Sequence, residues 1–140
     1  QGVWCHPAGG TRLLVIVSIK QRYAGHARQA ALAAMSCRAG AYLGRYVVVV
    51  DEDIDPTNTW DVLWAICTRS DPEKDIDIIR KMWSGPLDPI IQPGQKGFNS
   101  RALIDATRPF DWKEKFPAVA VSGPEVLEAA RKKWGQILFG

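Results

Sequence analysis

The sequence predicts a single α/β domain with a largely parallel sheet, flanking helices and a further helix at the C-terminus. Two short β-branched runs, residues 13–19 (LLVIVSI) and 46–50 (YVVVV), read as strands covered on both faces. Between them, from Gly25 to about Leu43, lies an alanine-rich segment with Leu32 and Met35. Alanine is the best helix former, and a face of small residues lets a helix lie close to a sheet. The bulk numbers agree. A chain of 140 residues, 46 % hydrophobic and 24 % charged, is one ordinary globular domain that buries roughly two-thirds of its unfolded surface.

Taken in order, the first run, the helix and the second run make a βαβ unit with parallel strands and a right-handed crossover. The acidic turn DEDIDPTN follows and leads into a helix over 60–69 (WDVLWAICTR). Asn58 or Thr59 caps it, and Leu63, Trp64 and Cys67 lie on or near one face. Ser70, Asp71 and Pro72 end it, because a residue before proline disfavours helical geometry. Residues 75–79 (DIDII) alternate as a third strand. The stretch SGPLDPIIQPGQKG holds three prolines and three glycines and is a long loop. Residues 102–107 (ALIDAT) form a short strand. Ser122, Gly123, Pro124 and Glu125 open the last helix, with Ser122 as N-cap and Pro124 in the first turn. Its apolar stripe is Val126, Leu127, Ala130, Trp134 and Leu138.

Several function classes are excluded by composition. The net charge of +3 is spread along the chain without a basic block, so nothing points to nucleic acid. No apolar stretch approaches the roughly 20 residues that span a membrane. Cys5, Cys37 and Cys67 are odd in number and far apart, and Cys5-His6 lacks the second ligand pair of a zinc site. They read as reduced thiols of a cytoplasmic protein. The first residues, QGVWCHPAGG, carry neither an initiator Met nor a signal pattern and read as a cut inside a longer chain. The six tryptophans are expected in the core and at interfaces, with Trp83 and Trp112 the exposed ones.

Candidate chemistry concentrates where the first strand meets its helix, in VSIKQRYAGHARQA. The carboxyl rim of a parallel sheet is where ligands bind in such folds. Unpaired N–H groups at a helix start favour an anion, and Lys20 supplies a mobile positive charge beside them. Equally, Lys20 and Arg22 can simply pair with the acidic turn after the second strand. That turn has its own alternatives. Asp51, Asp53 and Asp55 match the first three ligand positions of an EF-hand loop, but Pro56 replaces its glycine and Val62 its bidentate glutamate. A magnesium site needs fewer ligands. Acids that cap the next helix and balance nearby cations, Glu52 among them, are the structural alternative. Neither histidine has a short-range acid–base partner, no serine sits in a nucleophile elbow, and no catalytic set is complete.

Together, VSIKQRYAGHARQA, YVVVVDEDIDPTNTWDVLWAICTRSDPEKDIDII, GPLDP and IDAT resemble, in order and spacing, the C-terminal portion of a UbiD-family (de)carboxylase, from Val3 to Leu138. The resemblance implies a cytoplasmic enzyme several times this size, which uses prenylated FMN with a divalent metal (Mn or Mg) and potassium. Its reaction would be reversible, non-oxidative decarboxylation of an aromatic or α,β-unsaturated carboxylic acid. It further implies that the catalytic Glu-Arg-Glu network and the metal ligands lie in a larger preceding domain. No stretch here resembles EGPFGE, so no catalytic residue and no metal ligand is assigned, and the 140 residues alone are expected to be inactive and without cofactor. By the same resemblance, Lys20 reaches the cofactor phosphate. Tyr23 lies near the substrate pocket, and Ile66, Cys67 and Thr68 line its far wall. The domain would also be a homo-oligomerisation surface. The rival expectation is an autonomous anion-binding or oligomerisation module without catalysis.

Overall fold

The computed structural model describes residues 1–95 and 97–138, the side chain of Leu138 excepted. Five strands form one sheet in the order β1-β2-β3-β5-β4: β1 (Gly2–Cys5), β2 (Leu14–Ile19), β3 (Tyr46–Asp51), β4 (Ile76–Trp83) and β5 (Phe98–Ala106). The helices are α1 (His26–Ser36), α2 (Arg38–Ala41), α3 (Thr59–Arg69), α4 (Pro72–Asp75) and α5 (Pro124–Leu138). Short 3-10 turns lie at Pro7–Gly9 and Phe110–Lys115.

The sheet is mixed, which corrects the expected largely parallel one. Only its centre is parallel: β2 with β3, and β3 with β5. Both edges are antiparallel, β1 against β2 and β4 against β5. The reason is the connections. A parallel pair needs a crossover, and α1 with α2 supplies one between β2 and β3. The connection from β1 to β2 is a 3-10 turn, and β4 to β5 is the proline- and glycine-rich loop, so each returns as a hairpin. The third strand, expected as five residues, extends to Trp83 through an irregularity between Ile79 and Met82. The short ALIDAT strand is the end of the nine-residue β5.

The two β-branched runs are covered on both faces, as their composition requires. Val15, Val17, Val47, Val49 and Leu103 face α1, which presents Ala27, Ala31 and Met35. Ile16, Val48, Val50 and Ala106 face α3, which presents Val62 and Ala65. Leu32, by contrast, is exposed.

The alanine-rich helix does not run unbroken to Leu43. Cys37 is extended (φ −64°, ψ 155°), and its Sγ accepts from Gly40 N at 3.4 Å, which caps α2. The carbonyls left at this break are taken by a distant cation. Arg101, fully buried, donates to Met35 O, Gly40 O, Ala41 O and Trp83 O. A second buried polar group pins the proline-rich loop: Asp88 accepts from Ser84 Oγ at 3.0 Å, Asn99 Nδ2 at 2.9 Å and the Arg45 guanidinium. Burial pushes the Asp88 carboxyl up, yet these hydrogen bonds outweigh it and hold its pKa below the ordinary value.

α3 is apolar on two sides. Its buried stripe is Val62, Ala65 and Arg69, so Leu63 and Cys67 belong to an exposed outer stripe with Trp60, and Trp64 and Ile66 are half-buried between them. The tryptophans depart from expectation in the same direction. Trp83 and Trp112 are exposed, but so are Trp4, Trp60 and Trp134, with Trp60 at 78 %. In α5 the first bonds run from Val126 N and Leu127 N to Gly123 O, so the cap position is Gly123, one residue after the expected Ser122, and Pro124 is the first helical residue. Its Val126, Leu127 and Trp134 are all exposed, while the Leu138 side chain lies outside the described residues.

Candidate functional site

The strand β2 ends at Ile19, and the next four residues go to different tasks. Gln21 is buried and structural, donating Nε2 to Asp51 Oδ1 at 2.9 Å and to Arg108 O at 2.8 Å. Arg22 uses its backbone N–H, which donates to His26 Nδ1 at 3.3 Å. The Tyr23 hydroxyl donates to Gln29 Oε1 at 2.6 Å, and its ring stacks on His26 at 4.6 Å. Lys20 is exposed, as are Arg22 and Tyr23. The Lys20 side chain is 62 % exposed and its Nζ stands 3.6 Å from Glu52 Oε1. The turn into α1 is made by Gly25 at φ 83°, a left-handed conformation that glycine adopts without strain, and no side chain caps the helix there.

The acidic turn is a structural hub: Lys20 pairs with its Glu52, as the local pattern suggests, but its buried core is held by Arg69 and Arg108. Asp51 is buried and accepts from Arg69 Nη1 at 3.0 Å, Arg108 N at 2.7 Å and Arg108 Nε at 3.3 Å, besides Gln21. Arg69 also grips Asp53 with two bonds, at 2.9 and 2.8 Å. That hydrogen bonding, opposed by burial and helped by the charges of Arg69 and Arg108, holds the Asp53 carboxyl below its ordinary pKa. Asp55 closes a local turn by accepting from Thr57 N and Oγ1, both at 2.8 Å, and these bonds lower its pKa. Asn58 Oδ1 caps α3 through Trp60 N at 3.0 Å. The three aspartates are thus engaged by Arg69, Arg108 and Thr57. Among the described residues no group of three or more His, Cys, Asp or Glu is placed to hold a metal ion.

Arg69 and Arg108 were not foreseen as site residues. Arg108 gives no local signal. Arg69 does give one: it continues the Val62, Ala65 spacing of the inward face, so a basic residue there must meet something acidic at the sheet rim.

Above this hub lies a cleft of about 320 Å³ at the carboxyl ends of β2 and β3. Lys20, Gln21, Asp51, Glu52, Arg108, Lys113 and Glu114 line it, so three cations meet three carboxylates. No residue of α1 is in this lining, so Lys20 faces the cleft without the helix start that was expected beside it. Nor does one wall collect the other expected site residues. Tyr23 sits at the start of α1, on one face of the sheet. Ile66, Cys67 and Thr68 belong to α3, on the other. Ile66 packs into the core, Cys67 lies in a shallow apolar groove with Trp60, Leu63 and Trp64, and Thr68 Oγ1 donates to Trp64 O at 2.8 Å. Elsewhere, a larger hollow of about 490 Å³ opens where β3 and β5 begin, the sheet end opposite the Lys20 rim, with Arg45, Tyr46 and Phe98 in its wall.

Comparison with known proteins gives a consistent result. Residues 1–106 match the family model described as the 3-octaprenyl-4-hydroxybenzoate carboxy-lyase C-terminal domain (UbiD_C). A phenolic acid decarboxylase of Sedimentibacter hydroxybenzoicus is 42 % identical over 95 residues, which are 68 % of this chain and 19 % of that protein. Among solved structures, the apo 3,4-dihydroxybenzoic acid decarboxylase of Enterobacter cloacae superposes with a TM-score of 0.77 at 27 % identity. It covers 95 % of this chain and 28 % of its own. The UbiD-class enzyme HmfF of Pelotomaculum thermopropionicum, solved in complex with FMN, also gives 0.77, at 28 % identity over 92 % of this chain and 28 % of its own. The chain therefore spans 19 % to 28 % of the length of these relatives.

Proposed function

Because the chain belongs to the UbiD family of carboxy-lyases, we propose that it is the C-terminal domain of a cytoplasmic, prenylated-FMN-dependent decarboxylase of an aromatic or α,β-unsaturated carboxylic acid. Lys20 would contact the cofactor phosphate. The observation that carries this reading is the state of Lys20: a cation at the sheet rim, paired among the described residues with one exposed carboxylate, facing a cleft that also contains Arg108 and Lys113. A phosphate dianion would take Lys20 and Lys113 as its cations and displace Glu52, a loosely held partner, with Glu114 the other carboxylate it would meet in the lining. Arg69 and Arg108 keep Asp51 and Asp53 neutralised behind it.

When bound, the prenylated flavin supplies the electron sink for loss of CO2. The residues of this domain bind and orient. Lys20 anchors the phosphate end, Gln21 fixes the rim by tying β2 to Asp51 and to the Arg108 carbonyl, and Tyr23 is held by Gln29 at the turn. Ile66, Cys67 and Thr68 border the substrate side once the rest of the protein is in place. The acid–arginine–acid set, the divalent metal and potassium belong, in this reading, to that larger part. Self-association into a homo-oligomer through α5 completes the proposal.

The test is cofactor titration into the intact apo-protein and its Lys20→Ala variant. A charge-assisted hydrogen bond contributes about 1.5–3 kcal/mol. Affinity is therefore expected to fall roughly ten- to a hundredfold. Equal affinities would remove Lys20 from the phosphate site.

A further inference from the structure

Two of the three cysteines line one cavity. Cys5 is paired with Val15 in the β1–β2 ladder, so their side chains point to the same face, and Val15 packs beneath α1. Cys37 closes α1, with its Sγ 3.3 Å from Ala34 O and 3.4 Å from Gly40 N. Between the edge strand and this helix end lies a cavity of about 330 Å³, bordered by Val3, Cys5, Val15, Ala34 and Cys37. Arg12 is the one charged residue in its described lining. Both cysteines are free and exposed. Cys67, also free, belongs to α3 on the other side of the sheet.

We propose that Cys5 and Cys37 form a single two-thiol site for a soft, thiophilic centre that carries an apolar group, a trivalent organoarsenical being its simplest form. Soft ligands such as thiolates select soft centres. The apolar walls receive the organic substituent, as in other small-molecule pockets. Once one sulfur has bound, the second bond forms within the molecule, and the high effective concentration makes the pair far tighter than either thiol. The reaction balances without any redox partner. An arsenic(III) oxide R–As=O exchanges its oxygen for two As–S bonds, both thiol protons leave with that oxygen as water, and arsenic stays trivalent. Neither sulfur has a part in the rim cleft, so this site is independent of the decarboxylase reading.

The probe is phenylarsine oxide, added to the intact protein and followed by an excess of a monothiol, which removes arsenic held by one sulfur only. Mass spectrometry then counts the phenylarsenic retained. One per chain is expected at this site, with two thiols lost to alkylation. Cys5→Ser and Cys37→Ser should each lower retention roughly a hundredfold, and Cys67→Ser should leave it unchanged. Serine at 37 keeps an acceptor for Gly40 N, and Cys5 sits on an exposed edge strand, so Cys5→Ser alone decides the matter if the other variant fails to fold. No retention by the wild type, or undiminished retention in Cys5→Ser, would overturn the proposal.

Discussion

Arg69→Met tests the claim that the acidic turn is held from inside the fold and not by Lys20. Methionine keeps an unbranched stem and removes the guanidinium, whose central carbon lies 5.2 Å from the Trp64 ring centroid. The variant loses one bond to Asp51 and two to Asp53. These losses are unequal. The Asp53 side chain is 42 % exposed and regains water, whereas that of Asp51 is 7 % exposed. Stranding one member of a buried pair costs about 3–5 kcal/mol. Asp51 keeps Gln21, Arg108 N and Arg108 Nε, which places the loss near the lower end, about 3 kcal/mol. For a domain of this size that corresponds to a fall in Tm of roughly 10 °C. Urea unfolding of the 140-residue domain, with the midpoint shifted at constant m, is the assay. Lys20→Ala run beside it should change stability by less than about 1 kcal/mol, because its ion pair is exposed. The reasoning fails if Arg69→Met costs no more than Lys20→Ala.

Four further outcomes are expected. Burial raises the pKa of Asp105 against the hydrogen bonds from Thr107, so the native state binds the extra proton and stability is lost as pH rises from the ordinary aspartate range through the raised value. Asp105→Asn keeps an acceptor for Thr107, and its stability relative to wild type should improve between pH 4 and pH 7. A decline over that interval in paired unfolding curves would contradict this. Gly40→Ala should destabilise by about 1–3 kcal/mol, since a Cβ there runs into the carbonyl of Ala34, and calorimetry reads it directly. The 140 residues alone, given cofactor and an aromatic acid, should release no CO2, and measurable turnover would place the active site here after all. Finally, the exposed Val126, Leu127, Trp134 and Ile137 of α5 should drive self-association, so sedimentation of a monomer at high micromolar concentration would count against it. Phe139, which follows Leu138 in the sequence, lies outside the described residues.

What the sequence determined by itself was everything that depends on neighbours along the chain. Val15–Val17 and Val47–Val50 announce strands buried on both sides, because only such strands go without polar alternation. Asn58 or Thr59 announces the start of α3, because a side-chain oxygen at that spacing meets the orphan N–H groups, and the structure gives the cap to Asn58. The motif order was enough to place the chain in its family. The tertiary structure decided whatever depends on residues distant in the chain. Strand direction at the edges follows from the connections: β4 reads the same whether it pairs parallel or antiparallel, and the loop at 84–97 turns it back on β5. The break at Cys37 is held by Arg101, about sixty residues later. Asp51 looked like a partner for Lys20, thirty-one residues before it. The fold instead gives it Arg69 and Arg108, because a carboxylate excluded from water needs donors that are excluded with it. Lys20 is left at the surface with one exposed partner, Glu52.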